Sequence, residues 1–245
     1  MKWSLSINQP NIRAKMIGLI FIVLGIVLLF TNNTLYVKLS FALLLIGVLM
    51  IFIITEKTIP SKISKAQIEG NFNAFENITK NLNLNGNAVF IPKSEILTEE
   101  RVFIPLENKN TKIPELNDDT VFSTGIDGKS LGMAVPPSGL KLLQEIEKET
   151  DFKDINQDNI EESLQTFVGM DLINSVELKK LSDKWKLELV KPIFCQEKES
   201  MCRQYPCPTC SALLTAIARS NNKKVWVKDV NHNGKKVEFL LKIGD

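Results

Sequence analysis

Two long apolar stretches crowd the first quarter of the chain, and they restrict what it can become more than anything that follows. Met16 to Phe30 carries no charge and no proline, and Leu35 to Ile54 carries one charge, Lys38, a turn from its start. The stretches are 15 and 20 residues long, and a helix needs roughly 20 residues to cross the hydrocarbon core of a bilayer. The second meets that length. The first approaches it over residues 16–32, if Thr31 and Asn32 join it and Arg13 and Lys15 reach towards the head groups or the bilayer thins slightly. Thr31-Asn32-Asn33-Thr34 supplies turn-forming residues between the two. The expectation is a transmembrane hairpin (16–32 and 35–54), with Gly18, Gly25 and Gly47 available for close helix approach. A cleaved signal peptide would need a small-x-small site, which does not follow, and buried globular helices would keep some polar positions.

Basic residues in the short flanks set the expected orientation. Lys2, Arg13 and Lys15 precede the first helix, Lys57, Lys62 and Lys65 follow the second, and the connection has only Lys38. Both termini are therefore expected in the cytoplasm, where thiols stay reduced. The domain division that follows is a tail over 1–15, the hairpin over 16–54, a stalk helix over 55–84 and a cytoplasmic domain over 85–245.

Beyond the hairpin, charged and apolar residues alternate as in a soluble domain. The 245-residue chain has a formal net charge of +2, which gives no basic face for a nucleic-acid partner. The Asn run at 81, 83, 85 and 87 is read as compositional bias. Residues 61–84 read as a helix with Ile68, Phe72, Phe75 and Ile78 about a turn apart, broken from the membrane helix at Pro60. Asn85-Gly86 marks a turn, followed by short strands at 88–91, 101–106, 120–123 and 131–135. Pro136-Pro137-Ser138 opens a helix bearing Leu140, Leu143 and Ile146, with Ser138 a candidate cap. A second helix is expected over 157–167, a hairpin over 175–181 and 184–190 around Ser182-Asp183, and a helix over 209–219. A terminal hairpin over 224–230 and 236–243 is expected to turn at Asn231-His232-Asn233-Gly234. Strands and helices mix without strict alternation, so the expected class is an α+β soluble domain behind an N-terminal two-helix transmembrane hairpin.

All four cysteines fall in the segment 195–210: Cys195, Cys202, Cys207 and Cys210, spaced C-x6-C-x4-C-x2-C. In a reducing compartment such clustering points to metal, to redox chemistry or to local packing. Four thiolates suit Zn(II) or an iron–sulfur cluster, although the six-residue gap is not that of a zinc knuckle. Cys207-Pro208-Thr209-Cys210 at a helix start also resembles the dithiol of glutaredoxin and thioredoxin-type oxidoreductases, where the helix dipole stabilises a thiolate. The 35 residues after Cys210 are too few for the rest of that fold. The segment from Cys207 onward is similar in layout to the cysteine-bearing end of the 4-vinyl-reductase-like ligand-binding domains, where a short helix beside cysteines is followed by closing strands. Two apolar helices before a soluble α+β domain resemble uncharacterised archaeal membrane proteins, a likeness that implies no activity.

Other motifs carry less. His232, the one histidine, falls in the expected turn and is read as an ordinary turn residue, which leaves no Ser-His-Asp triad and no mixed histidine–carboxylate metal site. Gly125-Ile126-Asp127-Gly128-Lys129-Ser130 has two residues between its glycines where a phosphate loop needs four. Glu145, Glu147, Glu161 and Glu162 are read as solvated helix faces. Asn32-Asn33-Thr34 and Asn77-Ile78-Thr79 match the glycosylation pattern but lie beside the membrane and in the cytosol. The expected function is a membrane-anchored binding or sensory module, with the bilayer and an unidentified small ligand or protein as partners and metal held by the four cysteines. A non-catalytic membrane-tethered scaffold stands second and a thiol or metal-dependent oxidoreductase third.

Overall fold

The computed structural model describes residues 10–31, 33–53, 61–108, 113–123, 131–149, 160–181, 183–193, 195 and 199–244. The expected break at Pro60, the turn at 125–128, the helix start at Gln157, the turn residue Ser182 and the flanking Lys2 and Lys57 fall outside them. The chain divides into two compact units, Met1–Ser64 and Lys65–Asp245.

In the first unit α1 (Pro10–Leu29) and α2 (Thr34–Ile53) lie antiparallel. Helix α1 starts ahead of its apolar stretch, with proline in the position where its missing N–H costs nothing. Asn33 opens α2 by accepting the Leu35 N–H at 3.0 Å. A Cβ on Gly47 would stand 2.8 Å from the Gly18 carbonyl, and one on Gly25 would stand 2.8 Å from Leu44 Cγ. The glycines are therefore where the two backbones touch. Thr34–Ile51 is long and apolar enough to cross a membrane, while the apolar part of α1, Met16–Leu29, is shorter.

The second unit is a mixed α/β domain around one eight-stranded antiparallel sheet, in the order β3-β4-β2-β1-β7-β8-β6-β5. The strands are β1 (Val89–Ile91), β2 (Arg101–Pro105), β3 (Phe122–Ser123), β4 (Gly132–Val135), β5 (Ser175–Leu181), β6 (Lys184–Val190), β7 (Lys224–Asn233) and β8 (Lys236–Gly244). One face carries Phe90, Ile104, Leu187, Leu189, Val225 and Phe239 into the main core. That core is closed by α3 (Ser61–Asn81), α4 (Leu140–Glu149), α5 (Ile160–Gly169), α6 (Glu199–Gln204) and α7 (Pro208–Asn221). On the opposite face Val89, Ile91, Phe103 and Ala134 form a smaller core with Leu97 and Leu116 from the loops. Farther along that face Lys186 and Lys236 pair with Glu188 and Glu238 at 2.5–3.2 Å. Period-two alternation explains both faces.

Helix α7 is the centre of the domain. Every residue from Thr209 to Ala218 is buried, so it is a core helix with no solvent stripe, built from alanine, serine, threonine and leucine. Its last turn is held by Arg219, which pairs with Glu100 at 2.6 Å and with Glu147. Glu147 was expected on a solvated face. It contributes instead to an ion triad whose Glu100 side chain is 1 % exposed.

Three other expectations change. Ser138 does not cap α4; its hydroxyl donates to the Pro206 carbonyl at 2.6 Å. Helix α6 lies inside the cysteine segment where no element was expected, because a helix of six residues is too short to show a repeat. Strand β7 runs on through Asn231, His232 and Asn233, and the chain turns at Gly234 and Lys235. Gly234 has φ +59°, the left-handed conformation that glycine adopts at the first position of a two-residue II′ hairpin loop.

Candidate metal centre

The four cysteines reach one place from three different local structures. Cys207 is the residue before α7, with Pro208 in the first helical position. The Ser211 N–H donates to the Cys207 carbonyl at 2.8 Å, which brings Cys210 onto the same side one turn later. Cys202 sits on α6. Cys195 comes from the segment after β6, where the Thr209 hydroxyl donates to the Ile193 carbonyl at 3.2 Å and ties that segment to the first turn of α7.

The cradle is braced on every side. Besides the Ser138–Pro206 hydrogen bond, Gln204 donates to the Leu84 carbonyl at 2.6 Å and Ala88 N–H to the Arg203 carbonyl at 2.8 Å. The Tyr205 ring stacks on Phe75 with centroids 4.0 Å apart. Gly139 is pressed so closely on α7 that a Cβ there would meet the Pro208 carbonyl oxygen at 2.1 Å. Fixed supports of this kind hold donors in place before any ion arrives.

The sulfurs of Cys195, Cys207 and Cys210 lie within 4.8 Å of one another. The sulfurs of Cys195 and Cys202 and a ring nitrogen of His232 satisfy the same limit. Cys195 belongs to both sets. Thiolates around a tetrahedral Zn(II), bound at about 2.3 Å, stand about 3.8 Å apart, so this cluster can hold a metal ion. Cys202, Cys207 and Cys210 are buried and Cys195 is partly covered.

The protonation pattern follows from the contacts. Cys195 is held far below the usual thiol range by hydrogen bonds from Cys202, Cys207 and Cys210, with His232 nearby. Cys207 is pushed up by its bond to Cys195 and by burial, and Cys210 is raised by Cys195 and Cys207 and by burial. The bonds to Cys195 and burial thus push both Cys207 and Cys210 up, whereas a dithiol at a helix start was expected to have a lowered pKa.

His232 corrects the sequence reading. It is a strand residue facing the cysteines, and a β-bulge puts it there. The β7–β8 register shifts between Val227 and Asp229, so Val225 and Val227 share a face with Val230 and His232 instead of with Asp229 and Asn231. Arg203 reinforces the placement by pairing with Asp229 at 2.9 Å, beside Cys202. The Asn-Gly signal at 233–234 marked a turn later than the one expected and would have returned His232 to the strand.

A cleft of about 450 Å³ opens beside α6, lined by polar groups that include Asn83, Asn85, Asn108, Arg203 and Gln204. A larger cleft of about 580 Å³ lies between residues 91–97 and 113–116 and shares no residue with the cysteine segment.

Fold and site together define a mixed α/β domain with a buried thiol cluster built on its central helix, preceded in the sequence by an apolar helix pair. The chain belongs to the family described as Domain of unknown function (DUF7982), whose model matches residues 8–183. The match takes in the helix pair and β1–β5 and ends before Cys195. No curated protein and no solved structure matches the chain.

Proposed function

We propose that the protein is a membrane-anchored binding or sensory module whose cytoplasmic domain holds a thiophilic metal ion through Cys195, Cys202, Cys207 and Cys210. The observation that carries this reading is the convergence of thiols from three separate local structures into one buried, braced cluster. Soft thiolates suit Zn(II) or iron–sulfur chemistry, and an imidazole beside them favours a single Zn(II) ion. The bond to Cys195 and burial push the Cys207 thiol up, which argues against a freely reactive dithiol, so the oxidoreductase reading ranks last.

Support for the anchor comes from the exposure of the apolar helix pair. Val27, Leu35, Phe41 and Leu45 are each more than half exposed, and Lys38 is the one charged residue over 16–53. A bilayer is the solvent such surfaces need. The basic residues flanking the pair favour both termini in the cytoplasm. For a small polar ligand the cleft beside α6 is the natural seat, because an occupant there would touch the helix that carries Cys202.

The test is elemental analysis of the full-length chain, purified in detergent under anaerobic, reducing conditions. The expected result is about one zinc per chain. Sub-stoichiometric zinc and iron with no visible absorbance would overturn the metal reading. A C-terminal reporter should reside in the cytoplasm, and a reporter outside would reverse the orientation.

A further inference from the structure

Five donors lie in two sets of three that share Cys195, where a tetrahedral ion takes four. The geometry points to a centre with an exchangeable fourth ligand: Cys195, Cys207 and Cys210 hold a Zn(II) ion throughout, and Cys202 and His232 alternate in the remaining position. This inference rests on the metal reading above and adds a ligand that the spacing of the cysteines does not reveal.

The three constant ligands are the best anchored. Cys207 and Cys210 share the start of the buried α7, and Cys195 is tied to that turn through Thr209 and Ile193. Cys202 and His232 come from two other elements, α6 and β7, which Arg203 joins at Asp229 and Val230. Both donors lie within 4.8 Å of the Cys195 sulfur and of each other. Whichever is not bound to the ion remains beside a ligand that is, placed to donate a hydrogen bond to its sulfur.

Charge supplies the reason for having both. A Zn(II) ion with four thiolates carries a net charge of about −2, and exchanging one thiolate for neutral imidazole halves it. Burying charge is costly, so the imidazole offsets what Cys202 gains as the better thiophilic donor. The centre can then keep its metal when hydrogen peroxide oxidises the Cys202 thiolate to a sulfenate, with release of water, or when an alkylating reagent caps it. A site of four cysteines alone would not.

The test compares wild type, Cys202→Ser, His232→Ala and the double variant as full-length chains, loaded with Zn(II) for stoichiometry and with Co(II) for the sulfur-to-metal charge-transfer band. Each single variant should keep one ion per chain. The band should fall by up to about a quarter in Cys202→Ser, which fixes the ion at three thiolates, and should hold or gain intensity in His232→Ala, which fixes it at four. The double variant should lose the ion to a chelator that both single variants resist. X-ray absorption at the zinc edge of the wild-type protein needs no variant, and should show imidazole scattering that grows after mild oxidation. A pure sulfur shell before and after oxidation, loss of metal from Cys202→Ser alone, or two ions per wild-type chain would each overturn the exchangeable ligand while leaving a metal centre. A wild-type chain that binds no Zn(II) would overturn the metal reading itself.

Discussion

The imidazole of His232 and the sulfur of Cys202 meet within 4.8 Å, although one sits near the tip of the terminal hairpin and the other on a six-residue helix. The bulge in β7 and the Arg203–Asp229 pair create that meeting. It ties the local register of a strand to the composition of the centre.

Metal removal should destabilise the second unit. A ligand present at about 100 times its dissociation constant stabilises the folded state by about 2.7 kcal/mol. For a domain of this size that corresponds to a fall of about 5–10 °C in Tm on chelation, read by calorimetry under reducing conditions. An unchanged Tm in a protein shown to hold zinc would mean that the cradle is rigid without it.

Arg219→Ala should cost about 3–5 kcal/mol, because it leaves Glu100 buried without its partner. Arg219→Met combined with Glu100→Gln should cost markedly less, since the orphaned charge is gone. Urea midpoints of the three proteins give the comparison.

Gly139→Ala should destabilise by about 1–3 kcal/mol through overpacking. The added carbon meets backbone atoms of Pro208 and Ala212, which have no flexible side chain to move. The displaced turn carries Cys207, so zinc retention should weaken along with stability. A variant with normal midpoint and normal retention would show that α4 shifts freely on α7.

The charge network on β6 and β8 sets an acid limit. Hydrogen bonds from Lys186 and Lys236 lower the Glu188 pKa from 4.5 to about 2. A depressed folded-state value means that this contribution is complete above about pH 4.5 and is lost as the pH falls towards 2. Glu188→Gln should flatten the dependence of stability on pH in that window and leave the slope above pH 6 unchanged.

Much of the fold was legible because its signals are local. The hairpin of β5 and β6 occupies the residues where alternation placed it, and the glycines of the apolar pair mark its contact points. The four cysteines were legible as a cluster from spacing alone. What stayed hidden depends on partners far away in the chain. Glu147 reads as a surface carboxylate until α7 brings Arg219 against it. Ser138 looks like a cap, yet its hydroxyl goes to Pro206. His232 was lost to a turn placed too early, although the step of the apolar positions from Val225 and Val227 to Val230 already marks the bulge that aims it inward. Helix α7 lacks a polar face, so its central position could not be read from any periodicity.

The order of strands in the sheet bears on how the domain comes together. Strands β7 and β8 are the last two in sequence, yet they lie between β1 and β6 and join the two halves of the sheet. Until they dock, β1 and β6 each present a bare edge, which is the kind of surface that pairs with other chains. A nascent or truncated chain ending before Lys224 would be two unfinished sheets with a half-assembled thiol pocket between them. Such a chain should be prone to aggregation and dependent on chaperones for as long as that pair is missing.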